Sequence, residues 1–422
     1  MPQDKSKRGE RKLDTRQSID MPPVAGEILR ILERHGHEAF IVGGCVRDRI
    51  MGRSPNDWDI TTSAKPEEIK AIFDGTDGFH TVDTGIQHGT VTVIKEHIGY
   101  EVTTYRIDGE YTDNRHPDSV TFTQNVEDDL ARRDFTVNAI AYSPKRGFVD
   151  PFNGREDIKN TLIRGVGNAA DRFDEDALRV MRAVRFSAQL DFDIEEETEK
   201  AVYEKAHLIK NISTERIREE FTKTLMSDRP EAIGTFKKTG ILDVFIPGNG
   251  YDTNTHHRKL QLCPKQLPVR LAVIMAHTNC GDVNKALKKM TYDNETSRMT
   301  AAIVKNSALP LESEYDIRTL INKMGEYGAR LALDYIFADN HIGVTDLDNA
   351  KKMCKTFLMY DKIIKNGDCC TVKQLAVNGA DLQALGIPKG QKIGELLGTA
   401  LDAVMHDPSL NTKEKLIELL NL

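Results

Sequence analysis

The hydrophobic and polar positions divide the chain into two parts with different periods. A helical spacing of apolar residues runs from Val24 to Leu32, and Pro66 followed by two glutamates fits the first turn of another helix. Between and after these helices, short apolar or β-branched runs are bounded by glycine, proline or polar residues, which is typical of strands. The runs lie at 39–42, 57–61, 90–94 and 100–105.

After residue 170 the strand pattern gives way to helical periodicity. The segments with this spacing are 174–190, 195–209, 213–226, 283–290, 316–324, 328–338, 346–365 and 391–404. We therefore predict an α+β fold class, in which a mixed-sheet head is followed by an all-α neck, body and tail. The predicted bounds are 1–21 for a disordered N-terminal tail, 22–170 for the head, 171–233 for the neck, 234–310 for the body and 311–422 for the tail.

Composition and charge narrow the class of protein. The 422 residues are 39% hydrophobic, which is enough for ordinary buried cores. A net charge of −7 excludes a uniformly basic coat, although local basic patches can still bind nucleic acid. The longest apolar runs, such as 271–276, fall far short of the ~18 residues needed to span a bilayer. The first twenty residues show no export signal, so we expect a cytoplasmic protein with reduced cysteines and no membrane association.

Asp57 and Asp59 are the first candidates for chemistry. In a strand, side chains alternate between the two faces, so these two carboxylates would share a face while Trp58 points the other way. Two carboxylates on one face can bind a hard divalent cation such as Mg²⁺ and leave positions open for phosphate. A solvated strand face is the alternative interpretation, although aspartate is depleted in strands.

The segment upstream of this pair strengthens the metal interpretation. Gly43 and Gly44 stand at a predicted strand-to-helix junction, where glycines let the backbone approach a ligand closely. Backbone N–H groups at the start of the following helix suit a phosphate, and Arg47 could add a charged donor to it. The alternative interpretation of two glycines is a plain tight turn.

The predicted helix 174–190 carries a polar band opposite its apolar stripe, and Asp174 is its predicted N-cap. A solvated face is the usual interpretation of such a band, but three arginines without matching acids beyond the first turn favour an anionic ligand. A carboxylate could accept from the amino group of cytosine or adenine while an arginine donates to the ring nitrogen; uracil and guanine present a carbonyl instead. The band consists of Asp176, Arg179, Arg182 and Arg185.

Taken together, these motifs resemble the class II nucleotidyltransferases of the polymerase-β superfamily, which include CCA-adding enzymes and bacterial poly(A) polymerases. Gly43-Gly44-x-x-Arg47-Asp48 followed by Asp57-x-Asp59 is similar to the first motif of this family. Four further motifs follow in the family's order, and they begin at Glu101, Arg132, Arg172 and Ser213. The stretch from Leu375 to Gly394 looks like the tail of CCA-adding enzymes from low-GC Gram-positive bacteria.

The resemblance implies attack of an RNA 3′-hydroxyl on the α-phosphate of a nucleoside triphosphate. Mg²⁺ ions held by Asp57 and Asp59 would activate the hydroxyl and neutralise the leaving pyrophosphate. Glu101 is equally well a third acidic residue near the metals or a structural strand residue, so it stays outside the predicted metal set. The nucleotide-binding residues that the resemblance implies are Gly44, Arg47, Arg133, Asp176, Arg179, Arg182 and Arg185, of which Asp176 and Arg179 would select C and A without a template.

The polar segment 107–119, predicted to be a mobile loop, bears on the exact activity. In the family a loop here is needed for the change from C to A addition, so the resemblance implies full CCA addition to tRNA from CTP and ATP. The alternative is a poly(A) polymerase or a partial enzyme that adds only CC or only A. The tRNA would be held by its 3′ end and its acceptor and T-arm region, and the oligomeric state, including a homodimer, is left open. Candidate phosphate contacts are Lys285, Lys288, Lys289, Lys351, Lys352, Lys355, Lys389 and Lys392.

Overall fold

The computed structural model describes residues 18–109, 119–279, 281–340 and 347–422. The predicted N-terminal tail falls almost entirely outside these ranges, as does the predicted loop apart from its two ends. The chain forms two compact units, divided between Val244 and Phe245. Among the described helices, none combines the length and the apolar character needed to cross a membrane.

A seven-stranded mixed sheet forms the centre of the first unit. Its strand order is β3-β4-β5-β2-β1-β8-β9, and within it only β2 and β5 run parallel. The remaining strands form two small sheets, β6-β7 and β10-β11. The strands are β1 (Ala39–Val42), β2 (Ile60–Thr62), β3 (His80–Gly85), β4 (Thr90–Lys95), β5 (Ile98–Thr104), β6 (Arg106–Asp108), β7 (Val120–Phe122), β8 (Ala141–Ser143), β9 (Gly147–Val149), β10 (Leu162–Ile163) and β11 (Asp193–Ile194).

The register of β2 decides where the candidate site lies. Ile60 pairs with Ile41 on β1 and with Val102 on β5, so β2 is enclosed by strands on both sides. All four residues of β1 are buried, as its apolar run predicts. A core cluster that includes Phe40 and Tyr105 fixes this part of the sheet. Consequently the segment directly before β2 is attached to a well-packed part of the sheet.

The helices of the first unit surround this sheet and continue beyond it. Their starts follow local capping rules: Asn125 accepts a hydrogen bond from the Glu127 N–H at 3.1 Å, and Pro66 occupies the first turn of its helix. The helices are α1 (Pro23–Arg34), α2 (Gly44–Ile50), α3 (Pro66–Asp74), α4 (Val126–Ala131), α5 (Gly154–Lys159), α6 (Ala169–Glu175), α7 (Leu178–Leu190), α8 (Glu196–Lys205), α9 (Thr214–Leu225), α10 (Ile233–Lys238) and α11 (Ile241–Phe245), the last of which reaches the boundary between the units.

Within its described residues the second unit is helical. Aspartates cap three of its helices, and Gly325, with φ 72° and ψ 167°, interrupts the longest one between the two predicted segments 316–324 and 328–338. The helices are α12 (Thr253–Leu262), α13 (Leu267–Met275), α14 (Val283–Lys289), α15 (Asn294–Asn306), α16 (Glu314–Asn340), α17 (Leu347–Asn366), α18 (Gly379–Ala384), α19 (Gln391–His406) and α20 (Lys413–Leu419). The mixed sheet followed by helices confirms the predicted α+β class, whereas the finer division into neck, body and tail stays a prediction.

Candidate nucleotide-transfer site

The two predicted catalytic aspartates lie in the segment directly before β2. The predicted strand 57–61 was wrong at its start, because β2 begins at Ile60. Asp59 still runs beside β1, since its carbonyl accepts a hydrogen bond from the Val42 N–H at 3.0 Å. Beyond Val42 the chain turns away into α2, which ends the pairing on that side. Asp57 is exposed and Asp59 is half-buried, so the pair faces solvent at the end of the sheet.

Three carboxylates act on one another at this position. Burial raises the pKa of Asp59, the guanidinium of Arg133 lowers it, and the charges of Glu101 and Asp57 raise it again, with a net rise. A divalent cation would compensate this concentration of negative charge. No set of three or more Asp, Glu, His or Cys side chains within the described ranges is arranged to hold a metal ion. Asp57 and Asp59, the predicted ligands, would offer two carboxylates to a divalent cation, and Mg²⁺ would leave positions open for water and phosphate oxygens.

The glycine corner between β1 and α2 is required by conformation and by packing. Gly43 has φ 80° and ψ −129°, a combination that L side chains rarely adopt. A Cβ atom on Gly43 would lie 2.9 Å from Nη1 of Arg133. Gly44 begins α2 and is only half-buried. The corner thus brings backbone and Arg133 to the edge that carries the aspartates.

The buried carboxylate of Asp129 holds Arg133 in place. Asp129 is fully buried, and its Oδ2 lies 3.5 Å from Nη2 of Arg133 and accepts a hydrogen bond from Thr61 on β2 at 3.2 Å. Burial would raise the pKa of Asp129, but Arg132 and Arg133 lower it. The Nε atom of Arg133 is buried and has no hydrogen-bond partner among the described residues. Arg133 therefore keeps donor capacity beside the carboxylate pair.

Arg47 is buried, although its predicted role as a donor to phosphate requires an accessible side chain. It is 8% exposed, and its Nη1 donates to Oδ1 of Asn138 at 2.6 Å while its Nε donates to Oδ1 of Asp48 at 2.9 Å. Asn138 in turn donates to Asp134 at 3.1 Å. Arg47 thus anchors α2 to the segment that contains Arg133 and Asp134, a contact that its sequence position did not predict.

The predicted start of the polar-band helix was wrong. Asp174 lies inside α6, which ends at Glu175, and a new helix, α7, begins at Leu178. Asp176 lies between them with φ −132° and ψ 103°, and its Oδ1 accepts from the N–H of Leu178 at 3.1 Å. Because the break comes at Asp176, its carboxylate is held at a helix junction rather than spaced along a continuous helix face.

The expectation that the three arginines of α7 lack matching acids was also wrong. The α7 helix is enclosed by other elements, and Arg179 and Arg185 are each less than a tenth exposed. Each arginine has a carboxylate partner, two of which are distant in the sequence. The pairs are Arg179–Glu175 at 2.7 Å, Arg182–Asp134 at 2.6 Å and Arg185–Glu220 at 2.6 Å.

These pairs form one buried charged network. Burial would raise the pKa of Asp134, but Arg182 and Asn138 lower it to about 2. Burial lowers the pKa of Arg185 to about 10, although Glu220 opposes this shift. Glu220 also lies 3.8 Å from Arg182, so the network runs from α2 through α7 to α9. It fixes the polar-band helix relative to the glycine corner.

One residue of the site was missed by the sequence reasoning. Arg216 on α9 donates from Nη2 to Oδ2 of Asp176 at 2.8 Å and from Nη1 to Oδ1 at 3.3 Å. Arg216 belongs to the motif that begins at Ser213, but no periodicity connects it to a residue forty positions earlier. Arg179, next to this pair, donates to Glu175 and to the carbonyls of Arg172 and Arg132.

A mixed-sheet head with a carboxylate pair beside a glycine corner, followed by helices, defines a nucleotidyltransferase. Three family models match the chain. They are described as "Poly A polymerase head domain" over residues 39–164, "Probable RNA and SrmB- binding site of polymerase A" over 191–249 and "tRNA nucleotidyltransferase domain 2" over 269–420.

Known proteins give the same result. The CCA-adding enzyme of Lactiplantibacillus plantarum is 36% identical over 403 residues, which cover 93% of this chain and 94% of that one. The CCA-adding enzyme of Lactobacillus helveticus is 54% identical over 196 residues, a match to 46% of this chain and 48% of that relative. The crystal structure of the Bacillus stearothermophilus CCA-adding enzyme in complex with CTP has a TM-score of 0.75 at 32% identity and covers 95% of this chain and 98% of that chain. The chain belongs to the CCA-adding enzyme family.

Proposed function

We propose that this chain adds C, C and A in turn to the 3′ end of tRNA from CTP and ATP, without a nucleic-acid template. The observation that carries the proposal is the juxtaposition of Asp57 and Asp59 with the glycine corner and Arg133. This arrangement offers donors for a divalent cation next to donors for phosphate. Membership of the CCA-adding enzyme family and the relative solved with CTP support the choice of substrates.

Asp57 and Asp59 are proposed as the ligands of Mg²⁺. When bound, the metal would activate the 3′-hydroxyl and stabilise the charge of the leaving pyrophosphate. Asp59 is fixed through its backbone bond to Val42, whereas exposed Asp57 can adjust to the incoming oxygen ligands. The buried Cys45 thiol stays protonated beneath them, because burial and the charge of Asp59 raise its pKa to about 12.

The triphosphate would lie across the glycine corner. Arg133 is the best-placed donor, since it lies beside Asp59 and its Nε has no hydrogen-bond partner within the described chain. The half-buried backbone of Gly44 offers a close approach for a phosphate oxygen. Three of the four other predicted arginines are bonded closely to side chains of the protein, so we assign them to shaping the pocket: Arg47, Arg182 and Arg185.

Asp176 and Arg179 are proposed to read the base. Asp176 would accept a hydrogen bond from the exocyclic amino group of cytosine or adenine, and Arg179 would donate to the adjacent ring nitrogen. Uracil and guanine would place a carbonyl against the carboxylate and leave buried polar groups unpaired, at a cost of about 1–3 kcal/mol. Because the protein supplies the complementary edge, no template strand is needed. The tRNA substrate supports a cytoplasmic location.

The test offers each labelled triphosphate, alone and in combination, to a tRNA transcript that lacks its CCA end. We expect two additions with CTP alone and one further addition when ATP is also present. Continued growth with ATP would indicate a poly(A) polymerase, and arrest after CC or addition of A alone would indicate a partial enzyme. Failure to add any nucleotide in the presence of Mg²⁺ would overturn the proposal.

A further inference from the structure

The buried carboxylate of Asp129 divides its two oxygens between different partners. Its Oδ1 accepts from Nε and Nη2 of Arg132 at 3.0 and 2.8 Å. Its Oδ2 accepts from the hydroxyl of Thr61 at 3.2 Å and lies 3.5 Å from Nη2 of Arg133. A buried carboxylate requires a counter-charge, and Arg132 supplies one through both of its bonds to Oδ1. The other oxygen is therefore left to hold Thr61 and Arg133.

Thr61 connects this carboxylate to the strand that directly follows the proposed metal ligands. It is fully buried on β2, two positions after Asp59. Its hydroxyl also lies 3.2 Å from the carbonyl of Thr103, so its one hydrogen is shared between two acceptors. A backbone hydrogen bond from Arg106, at the start of β6, reaches Asp129 as well. Asp129 is thus attached to two strands in addition to its own helix.

Arg133 needs such an anchor because it lies beyond the end of α4. Its backbone N–H still donates to the carbonyl of Leu130 at 3.2 Å, but its side chain extends to the glycine corner, where a Cβ atom on Gly43 would lie 2.9 Å from its Nη1. An arginine side chain has many rotamers, and ordering them opposes the binding of a ligand. A carboxylate that orders the guanidinium beforehand therefore favours binding.

We propose that Asp129, anchored by Thr61, is a positioning residue that presents Arg133 to the triphosphate. This inference rests on the proposed function, in which Arg133 donates to phosphate. It assigns Asp129 no contact with the nucleotide or the metal. Because every nucleoside triphosphate carries the same phosphates, loss of Asp129 should weaken the binding of all four nucleotides alike and leave the choice of base unchanged.

The experiment uses the full-length chain with Mg²⁺ and the tRNA transcript that lacks its CCA end. Asp129→Asn keeps the shape of the side chain and removes its charge. We expect the KM for CTP to rise at least about tenfold, because a less ordered arginine makes a weaker charge-assisted bond to phosphate. The kcat/KM ratio of CTP over UTP should keep its wild-type value. A loss of stability alone would lower the fraction of active enzyme, and hence kcat, without changing KM.

A double-mutant cycle with Arg133→Gln tests whether Asp129 acts through Arg133. Arg133→Gln should itself raise the KM for CTP, and adding Asp129→Asn to it should raise the KM by less than about twofold further. Asp128→Asn is the matched control. Asp128 precedes Asp129 on α4 and accepts a hydrogen bond from Thr123 at 2.8 Å, so its replacement should keep the wild-type KM.

The inference is overturned if Asp129→Asn leaves the KM for CTP unchanged or lowers it, since a lower KM would mean that the carboxylate only weakens the attraction of Arg133 for phosphate. Independent factors for the two substitutions also overturn it. If Asp129→Asn fails to fold, Thr61→Val replaces it: the loss of one shared bond should raise the KM about threefold, and a wild-type KM overturns the inference.

Failure of the proposed function gives different results. A wild-type KM in Arg133→Gln would overturn the assignment of Arg133 to the triphosphate, and this inference with it. A wild-type enzyme that adds no nucleotide would overturn the proposed function as a whole. A raised KM in Arg133→Gln together with a wild-type KM in Asp129→Asn would overturn the role of Asp129 alone.

Discussion

At the scale of single residues, the two aspartates of the transfer site have different surroundings. Asp59 is half-buried, bonded through its backbone to Val42 and close to the charge of Arg133, whereas Asp57 is exposed. This difference gives the proposed metal site one fixed ligand and one adaptable ligand. Neither side chain belongs to the hydrophobic core. Isosteric substitution should therefore affect catalysis and leave folding intact.

Asp57→Asn and Asp59→Asn should each lower kcat for nucleotide addition by at least about a thousandfold, because loss of metal ligands removes several kcal/mol of transition-state stabilisation. The Kd for tRNA, measured by filter binding, should stay unchanged. Asp77→Asn serves as the control, since Asp77 is exposed in the same head. Turnover close to that of the wild type in either variant would exclude its carboxylate from metal binding.

Gly43→Ala tests the glycine corner. Its positive φ of 80° should make alanine destabilising by about 1–3 kcal/mol, and the added Cβ would also push Arg133 away from the aspartates. We therefore expect a loss of stability in chemical denaturation together with a higher KM for CTP.

Gly78→Ala is the matched control for this effect. Gly78 has nearly the same φ of 77°, but a Cβ there meets nothing within 4 Å. Its replacement should lower stability and leave the KM for CTP unchanged. If the two variants changed the KM equally, the contact between the corner and Arg133 would have no part in nucleotide binding.

At the scale of elements, local patterns identify helices and strands better than they identify partners. The apolar run 39–42 and the periodicity up to Leu190 predicted β1 and most of α7. The start of α7 was missed, because the apolar spacing continues across the break at Asp176, where the backbone is extended. The partners of Arg182 and Arg185 were missed because Asp134 and Glu220 lie on other elements, and helical periodicity contains no information about them.

Glu220→Gln should be strongly destabilising. Glu220 is 3% exposed and pairs with Arg185 at 2.6 Å, so its replacement leaves the buried charge of Arg185 without a carboxylate partner. We expect a loss of about 3–5 kcal/mol in the free energy of unfolding, measured by urea denaturation. Glu219→Gln on the exposed face of α9 should change it by less than about 0.5 kcal/mol. Equal stability of the two variants would show that the network contributes nothing to α7.

In the second unit, His256 makes stability depend on pH. Burial lowers its pKa, with nearby Lys259 and His277 acting in the same direction. The unfolded chain, where histidine has a pKa of about 6.5, therefore binds a proton more readily than the folded chain. The contribution of His256 to stability is therefore fully present above a pH of about 6.5 and is lost as the pH falls below that value. Urea midpoints at pH 7.5 and 5.5 should show a smaller decrease in His256→Gln than in the wild type, while His207→Gln should keep the wild-type decrease.

At the scale of the whole molecule, the change from strand patterns to helical periodicity near residue 170 does not coincide with the division between compact units. The division falls after Val244, so α7 and α9 belong to the same unit as the sheet, and the buried charged network contributes to holding them there. The composition of a helix cannot reveal which domain it joins; this depends on partners such as Asp134. Each unit has a hydrophobic cluster of its own, around Phe40 in the first and Leu401 in the second.

The division into two units predicts that CTP binding can be separated from tRNA binding. A fragment of residues 1–244 contains every proposed nucleotide contact, so it should bind CTP with the Kd of the full chain, as measured by calorimetry. Its KM for tRNA should rise at least about tenfold, because the exposed lysines of α14 and α17 are removed and each lost hydrogen bond to a phosphate costs about 1.5–3 kcal/mol. In the full chain, Lys288→Gln should produce a smaller rise of the same kind. A fragment that extends tRNA with the KM of the full chain would place the tRNA contacts in the first unit instead.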